Sequence, residues 1–184
     1  MKSLVFLSLL CGLIFSCTDL KKGSQMQELQ GLNTSLDSLD KILQDKKMDS
    51  GFYYSQLAGA VELRIKNFYF ADTINLPLGQ KMDAYKVMRR KLEPLAYDYQ
   101  NLIKGIEATK NSIALLSEDI ENGNGKREKY DEFVQFEANK VDQLLVLNKE
   151  YQSERETTLR TFYELHDELD AFSMELAEKA KNKK

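Results

Sequence analysis

Residues 79–125, GQKMDAYKVMRRKLEPLAYDYQNLIKGIEATKNSIALLSEDIENGNG, decide the fold of this 184-residue chain. Within them Tyr85, Met88, Leu92, Leu95, Tyr99, Leu102, Ile106, Thr109, Ile113, Leu116 and Ile120 recur at steps of three and four. That spacing marks one face of a helix sustained over several heptads. Asn122-Gly123-Asn124-Gly125 closes the run with a turn signal, because glycine and asparagine accept backbone angles that other residues resist. Beyond it, Tyr130, Phe133, Val134, Val141, Leu144, Asn148, Tyr151, Arg155, Thr158, Phe162, Leu165, Leu169, Phe172 and Leu176 form a second stripe. Two long stripes joined by a short turn predict an antiparallel hairpin with arms at about 79–121 and 126–178. An arm of about 50 residues spans roughly 75 Å at 1.5 Å per residue. The expected fold is therefore all-α: an elongated helical bundle built on a coiled-coil-like hairpin. Pro94 lies inside the first arm, where its missing N–H predicts a kink or short break near Arg90–Glu93.

Working outward, Met26, Leu29, Leu32, Leu36, Leu39 and Leu43 keep helical spacing and predict a helix to about Lys47. Asp49-Ser50-Gly51 reads as a break, with Asp49 or Ser50 able to cap the next element. Residues 52–71 support two readings. Tyr54, Ala58, Val61, Ile65 and Phe68 have helical spacing, whereas Val61, Leu63 and Ile65 alternate with Glu62, Arg64 and Lys66 as in a strand. Ile74, Leu76 and Leu78 supply a possible partner strand, so 61–78 stays open between helix and β-hairpin. Helix is preferred, since a lone two-stranded hairpin is marginal in water. Asp72–Pro77 reads as a connector. The helical domain then covers 25–178, and Lys179–Lys184 (KAKNKK), with no apolar face, is expected to be a disordered tail.

Composition agrees with long helices. The chain has nine glycines and two prolines against 30% charged residues, too few turn formers for a many-stranded sandwich. A formal net charge of -3 lacks the basic footprint of a nucleic-acid binder.

The amino-terminal residues 1–17, MKSLVFLSLLCGLIFSC, carry an address. Lys2 gives a positive start, Leu4–Phe15 an apolar run of about 12 residues, and Ser16 a small residue before Cys17. The run is short of the roughly 20 apolar residues that a membrane-spanning helix needs. Ile14-Phe15-Ser16-Cys17 resembles the lipobox of bacterial lipoproteins. That resemblance implies a signal peptide at 1–16, cleavage before Cys17, fatty-acylation of Cys17, and a short lipidated tether over 17–24. Cys11 leaves with the peptide, so no disulfide is expected. Thr18-Asp19-Leu20-Lys21-Lys22 places no Asp directly after the cysteine, which by the same likeness implies outer-membrane residence. The absence of an acidic cluster there implies an orientation toward the periplasm. The short Phe-containing leader and the Lys/Asn/Tyr-rich body are similar to lipoproteins of Bacteroidota, and the body itself resembles no named family.

Chemistry-bearing motifs are sparse. His166, the single histidine, stands between Glu164 and Asp167 beside the stripe residue Leu165. With Tyr163 three residues before it, it lacks the Glu-x-x-His unit of di-iron bundles and reads as a flank residue. Gly123-x-Gly125 follows a helix, not a strand, and so reads as a turn instead of a phosphate loop. Carboxylate pairs such as Asp119 with Glu121 or Glu164 with Glu168 are what any solvated helix face provides. No catalytic residue, metal site, cofactor or small-molecule substrate is expected.

Two groups read as a partner surface beyond Cys17. Phe52, Tyr53, Tyr54, Phe68, Tyr69 and Phe70 concentrate aromatics in one short segment, suited to packing on the hairpin, to a partner groove or to headgroup contact. Lys86, Arg89, Arg90 and Lys91 form a basic cluster before Pro94, of which Arg89 and Arg90 stand out as carboxylate or anionic-lipid binders. Asn148, Arg155 and Thr158 put polar groups on the seam, where they select register or partner. Leu145, Leu147 and Leu159 lie beside it and need a cover from this chain or another. The expectation is a non-enzymatic, lipid-anchored envelope protein that binds another envelope protein or a second copy. A surface-exposed adhesin is the alternative, and a metal-dependent or hydrolytic enzyme a remote one.

Overall fold

The computed structural model describes residues 19–45 and 51–182. The leader, Cys17, the break at Asp49-Ser50 and the last two lysines lie outside those residues. Four α-helices follow in order, α1 (Asp19–Asp45), α2 (Gly51–Phe68), α3 (Leu76–Asn122) and α4 (Tyr130–Lys181), with a short 3-10 turn at Arg127–Lys129. No strand occurs among the described residues. The chain is an all-α helical bundle.

The helices divide into two units, each combining a short helix with part of α3 and part of α4. In the first, α1 up to Ile42 joins Lys104–Val146. Its core is aliphatic: Leu29, Leu36 and Leu39 of α1, Ile106, Ile113 and Ile120 of α3, and Val134 and Val141 of α4 are buried. In the second, residues from Leu43 to Ile103 join Leu147 to the end of α4. There Ala58, Val61 and Ile65 of α2 pack with Met82, Tyr85, Met88 and Leu92 of α3 and Leu159, Phe162 and Leu169 of α4.

The turn between the long helices is built as its residues require. Asn124 N–H donates to the Asp119 carbonyl at 2.8 Å across Gly123, whose φ of 69° is the left-handed angle of a Schellman helix end. Gly125 repeats that angle at 74°. Arg127 Nε donates to the Gly123 carbonyl at 3.0 Å, and the Tyr130 hydroxyl donates to Asp119 O at 2.9 Å.

Four boundaries differ from expectation, and one open reading closes on the preferred helix. Helix α1 begins at Asp19, so the tether expected through Ser24 is already helical; Lys21, Lys22 and Gln25 bond to the hairpin and hold that turn. Gly51, expected in a break, is buried as the first residue of α2. Between helix and β-hairpin at 61–78, the helix forms through Phe68, because Ala58, Val61 and Ile65 bury one period-3.6 face while Leu63 stays exposed. Helix α3 starts at Leu76, three residues early: Asn75 Oδ1 accepts from Leu78 N–H at 3.1 Å as an N-cap, and Pro77 sits in the first turn where its missing donor costs nothing. The expected tail is helical through Lys181, with Lys179 paired to Glu175 one turn back.

Helix α3 also runs through Pro94 without a break. Pro94 and Arg90, whose carbonyl loses its helical donor, are both exposed, so water can take that carbonyl while Leu92, Leu95 and Ala96 pack the other face.

Candidate functional site

The six aromatics separate by periodicity once α2 is in place. Three face the long helices: Phe52 meets Tyr97 edge-on at 5.3 Å, Tyr54 packs on Phe162 at 4.7 Å, and Tyr69 on Phe172 at 5.8 Å. The hydroxyls of Tyr54 and Tyr163 share a hydrogen bond of 2.7 Å, which with burial pushes the Tyr54 phenol above its ordinary pKa. Tyr53, Phe68 and Phe70 turn outward. Tyr53, with the exposed Tyr97 and Tyr163, forms an aromatic strip at the start of α2 through the ring contacts Phe52–Tyr97 and Tyr53–Tyr54–Tyr163, whereas Phe68 and Phe70 lie at and beyond the other end of that helix.

The basic cluster does not stay together. Arg89 Nε lies 3.0 Å from Glu62 Oε1 of α2, an ion pair without an aligned hydrogen bond. Lys91 pairs with Glu154 of α4 at 2.7 Å. Lys86 and Arg90 are exposed. Two of the four cations thus fasten α3 to its neighbours on opposite sides. Among the residues beside the seam, Leu159 is buried, whereas Leu145 and Leu147 are exposed. Asn148 is buried and accepts from Gln152 at 3.2 Å; Thr158 is buried with its hydroxyl unpartnered.

Sequence reasoning missed a polar network inside the second unit. The fully buried Tyr85 of α3 reaches His166 Nδ1 of α4 at 2.5 Å, and the imidazole stacks on Phe162 at 4.3 Å. Burial, with the charges of Asp170 and Glu62, pushes the Tyr85 phenol far up. The phenol therefore keeps its proton, and its hydroxyl shares the hydrogen bond with His166 Nδ1. One turn further, Arg64 of α2 donates to Ser173 Oγ at 2.8 Å and pairs with Asp170, while Ser173 donates to the Asp170 carbonyl. His166 is therefore turned inward instead of lying on the flank.

The first unit has a cleft of about 530 Å³ where α1 meets the hairpin turn, lined in part by Lys21, Lys22, Gln25, Gly123, Arg127 and Asp131. Lys21 Nζ and Gln25 Nε2 both donate to Asp131, at 2.9 and 2.5 Å, and Lys22 Nζ donates to the Glu121 carbonyl at the end of α3. Lys21 and Gln25 hold the Asp131 carboxyl below its ordinary pKa, and the same contact raises Lys21. A cation at the negative end of a helix is favourable.

Among the described residues, no His, Cys, Asp and Glu side chains gather into a metal-holding group, and no helix is long and apolar enough to cross a membrane. Compared with protein-family models, curated proteins and solved structures, the chain matches none.

Proposed function

We propose that this chain is a lipid-anchored envelope protein, held through Cys17, whose helical body acts as a non-enzymatic scaffold or adaptor for another envelope protein. The lipobox likeness of Ile14-Phe15-Ser16-Cys17 supports the anchoring. The first helix begins at Asp19 and is pinned to the hairpin turn through Lys21, Lys22 and Gln25, so the folded body starts two residues after Cys17. Lipid on that cysteine would hold the cleft at the hairpin turn close to the headgroups. Two or three acyl chains give stable anchoring where one gives only marginal binding.

The adaptor reading draws on the aromatic strip of the second unit. Tyr53, Tyr97 and Tyr163 are large rings left in water around an ordered base, and such rings bind protein surfaces at low entropy cost. By the lipobox likeness, the protein faces the periplasm from the outer membrane.

Metabolic labelling with a clickable fatty acid tests the anchor: the wild type takes the label, and Cys17→Ala abolishes it and releases the protein from the membrane fraction. Equal labelling and fractionation of Cys17→Ala defeats the anchoring. A photocrosslinker at Tyr53 tests the adaptor, with a discrete adduct expected in intact cells and no adduct for the same probe at exposed Gln135. Protease treatment of intact cells leaves a periplasm-facing protein uncut; cleavage there identifies the outward-facing alternative.

A further inference from the structure

The start of α1 is fastened differently from the rest of that helix. Further along, Leu29, Leu36 and Leu39 are buried in the core of the first unit. Residues 21–25, KKGSQ, contain no apolar side chain. They reach the hairpin through polar groups: Lys21 Nζ donates to Asp131 at 2.9 Å, Gln25 Nε2 to the same carboxylate at 2.5 Å, and Lys22 Nζ to the Glu121 carbonyl at 2.9 Å. Two of these bonds end on Asp131.

Their surroundings keep these contacts weak. The Lys21 and Asp131 side chains are 75% and 58% exposed, a setting in which an ion pair contributes little and salt screens it. The helix they fasten is itself weak there. Gly23 lowers helix propensity relative to alanine, and a Cβ on it would meet nothing within 4 Å, so no close approach calls for glycine. Ser24 Oγ donates to the Lys21 carbonyl at 2.8 Å, a local bond that competes with the helical one.

Position gives this weakness a consequence. Asp131 lies in the first turn of α4, and Lys21, Lys22 and Gln25 supply one wall of the cleft at the hairpin turn. When their bonds open, the leucine face from Leu29 onward still holds α1 in the unit. Residues 19–24 then pass from roughly 9 Å of helix to as much as roughly 20 Å of extended chain. The Asp131 carboxyl stays ionised through neutral pH, because Lys21 and Gln25 hold its pKa below the ordinary value. The attachment therefore responds to ionic strength and competing charge, and mild acid leaves it closed.

We propose that residues 19–25 are a releasable strap, latched on Asp131, that opens the cleft at the hairpin turn while the rest of α1 stays docked. Its consequence for the anchored protein rests on the acylation of Cys17 proposed above: opening lengthens the tether and lets the body rise from the headgroups. The release itself is read without that assumption.

Hydrogen exchange of the full-length protein in detergent, followed amide by amide, tests it. The first four amides of any helix lack an internal acceptor, so the reporters are residues 23–27, compared with 36–39. Protection at 23–27 is expected to be at least roughly tenfold lower. Asp131→Asn, or high salt, is expected to lower it about threefold further, and Gly23→Ala to raise it about fivefold, with 36–39 unchanged throughout. Lys21→Asp combined with Asp131→Lys is expected to restore what either change alone removes. Equal protection in the two stretches overturns the proposal, since the start of α1 then belongs to the core. Unchanged protection in Asp131→Asn overturns it as well, leaving a helix end that frays without a latch. Loss of protection at 36–39 in that variant means general unfolding and defeats it too. Fatty-acid labelling of the same samples reads the anchor separately, so an unlabelled protein with a working strap and a labelled one without it are told apart.

Discussion

The two units use the same pair of long helices, yet they are different kinds of interior. The first unit closes with α1, whose buried face is leucine, and its polar contacts sit mainly at the margin: Lys21 with Asp131, and Lys110 with Asp37 and Asp40. Glu137 of α4, the deeply placed acid among its described residues, is answered by Ser112 of α3 at 2.7 Å and by Lys140 one turn on at 2.7 Å, a single such crossing in this unit's interior. The second unit closes with α2, which brings Tyr54, Arg64 and an aromatic flank, and here polar groups reach across the interior between helices. A heptad scaffold thus leaves open what kind of core it holds; the third helix determines that. Leucine faces need only area, while a Tyr–His or Arg–Asp–Ser contact needs a fixed register.

The largest test of this contrast removes the centre of each interior. Phe162 is buried under both Tyr54 and His166, so Phe162→Ala takes away packing and the base of the imidazole stack. A loss of about 3–5 kcal/mol is expected, with collapse of the near-ultraviolet circular dichroism. Leu36→Ala in the first unit is expected to cost about 2–5 kcal/mol while leaving that aromatic signal and the His166 resonance in place. If Phe162→Ala costs under about 1 kcal/mol in urea unfolding, the aromatic interior is not the organised core described above.

Glycine sharpens the comparison at smaller scale. A Cβ on Gly51 would lie 2.5 Å from the Leu92 carbonyl oxygen and 2.9 Å from Ala96 Cβ, so α2 approaches α3 backbone to backbone. On Gly105, by contrast, a Cβ would meet Leu144 Cδ2 at 2.8 Å, the far end of a side chain that can rotate. Gly51→Ala is expected to destabilise by about 1–3 kcal/mol through displaced backbone. Gly105→Ala also gains helix propensity of up to about 1 kcal/mol and is expected to be near neutral. Thermal melts of the two variants, side by side, decide it; equal losses would remove the distinction in helix approach.

How far this was legible follows from the same residues. The all-α fold and the hairpin turn were readable, because Tyr85 to Ile120 and Tyr130 to Leu176 carry an unbroken helical period and Asn122–Gly125 allows little else. The aromatic segment was readable as a cluster but not as a site: which of Phe52, Tyr53 and Tyr54 faces inward depends on the rotation of α2, which Ala58, Val61 and Ile65 fix only once they pack. Arg89 and Arg90 illustrate the limit, since adjacent residues on a helix point about 100° apart and only Arg89 meets Glu62. The Tyr85–His166 bond joins residues 81 positions apart, and no local pattern announces such a pair. The start of α3 differs for a simpler reason: within the segment that reads as a connector, Asn75 is an N-cap and Pro77 fits a first helical turn.

The smallest expected effect separates the units by their response to pH. Tyr85 is neutral in both states below its ordinary pKa of 10.0, and burial raises that pKa in the fold. Above pH 10 the unfolded chain loses this proton while the fold keeps it, so the unfolded state binds fewer protons and stability falls as pH rises. Tyr85→Phe is expected to cost about 0.5–1.5 kcal/mol near neutrality, as His166 Nδ1 loses its hydrogen-bond partner, and to flatten that alkaline slope. The Asp131 carboxyl in the first unit shifts the opposite way, its pKa lowered by Lys21 and Gln25. Its contribution is present above the ordinary value of 3.8 and disappears as pH falls through the lowered one. Exposure and salt keep it small, and Asp131→Asn is expected to flatten only the acid limb. Urea unfolding across pH, with phenolate absorbance followed in parallel, reads both. An alkaline slope unchanged in Tyr85→Phe would mean that the late-titrating phenol is another of the nine tyrosines and that the second unit does not keep its interior proton at Tyr85.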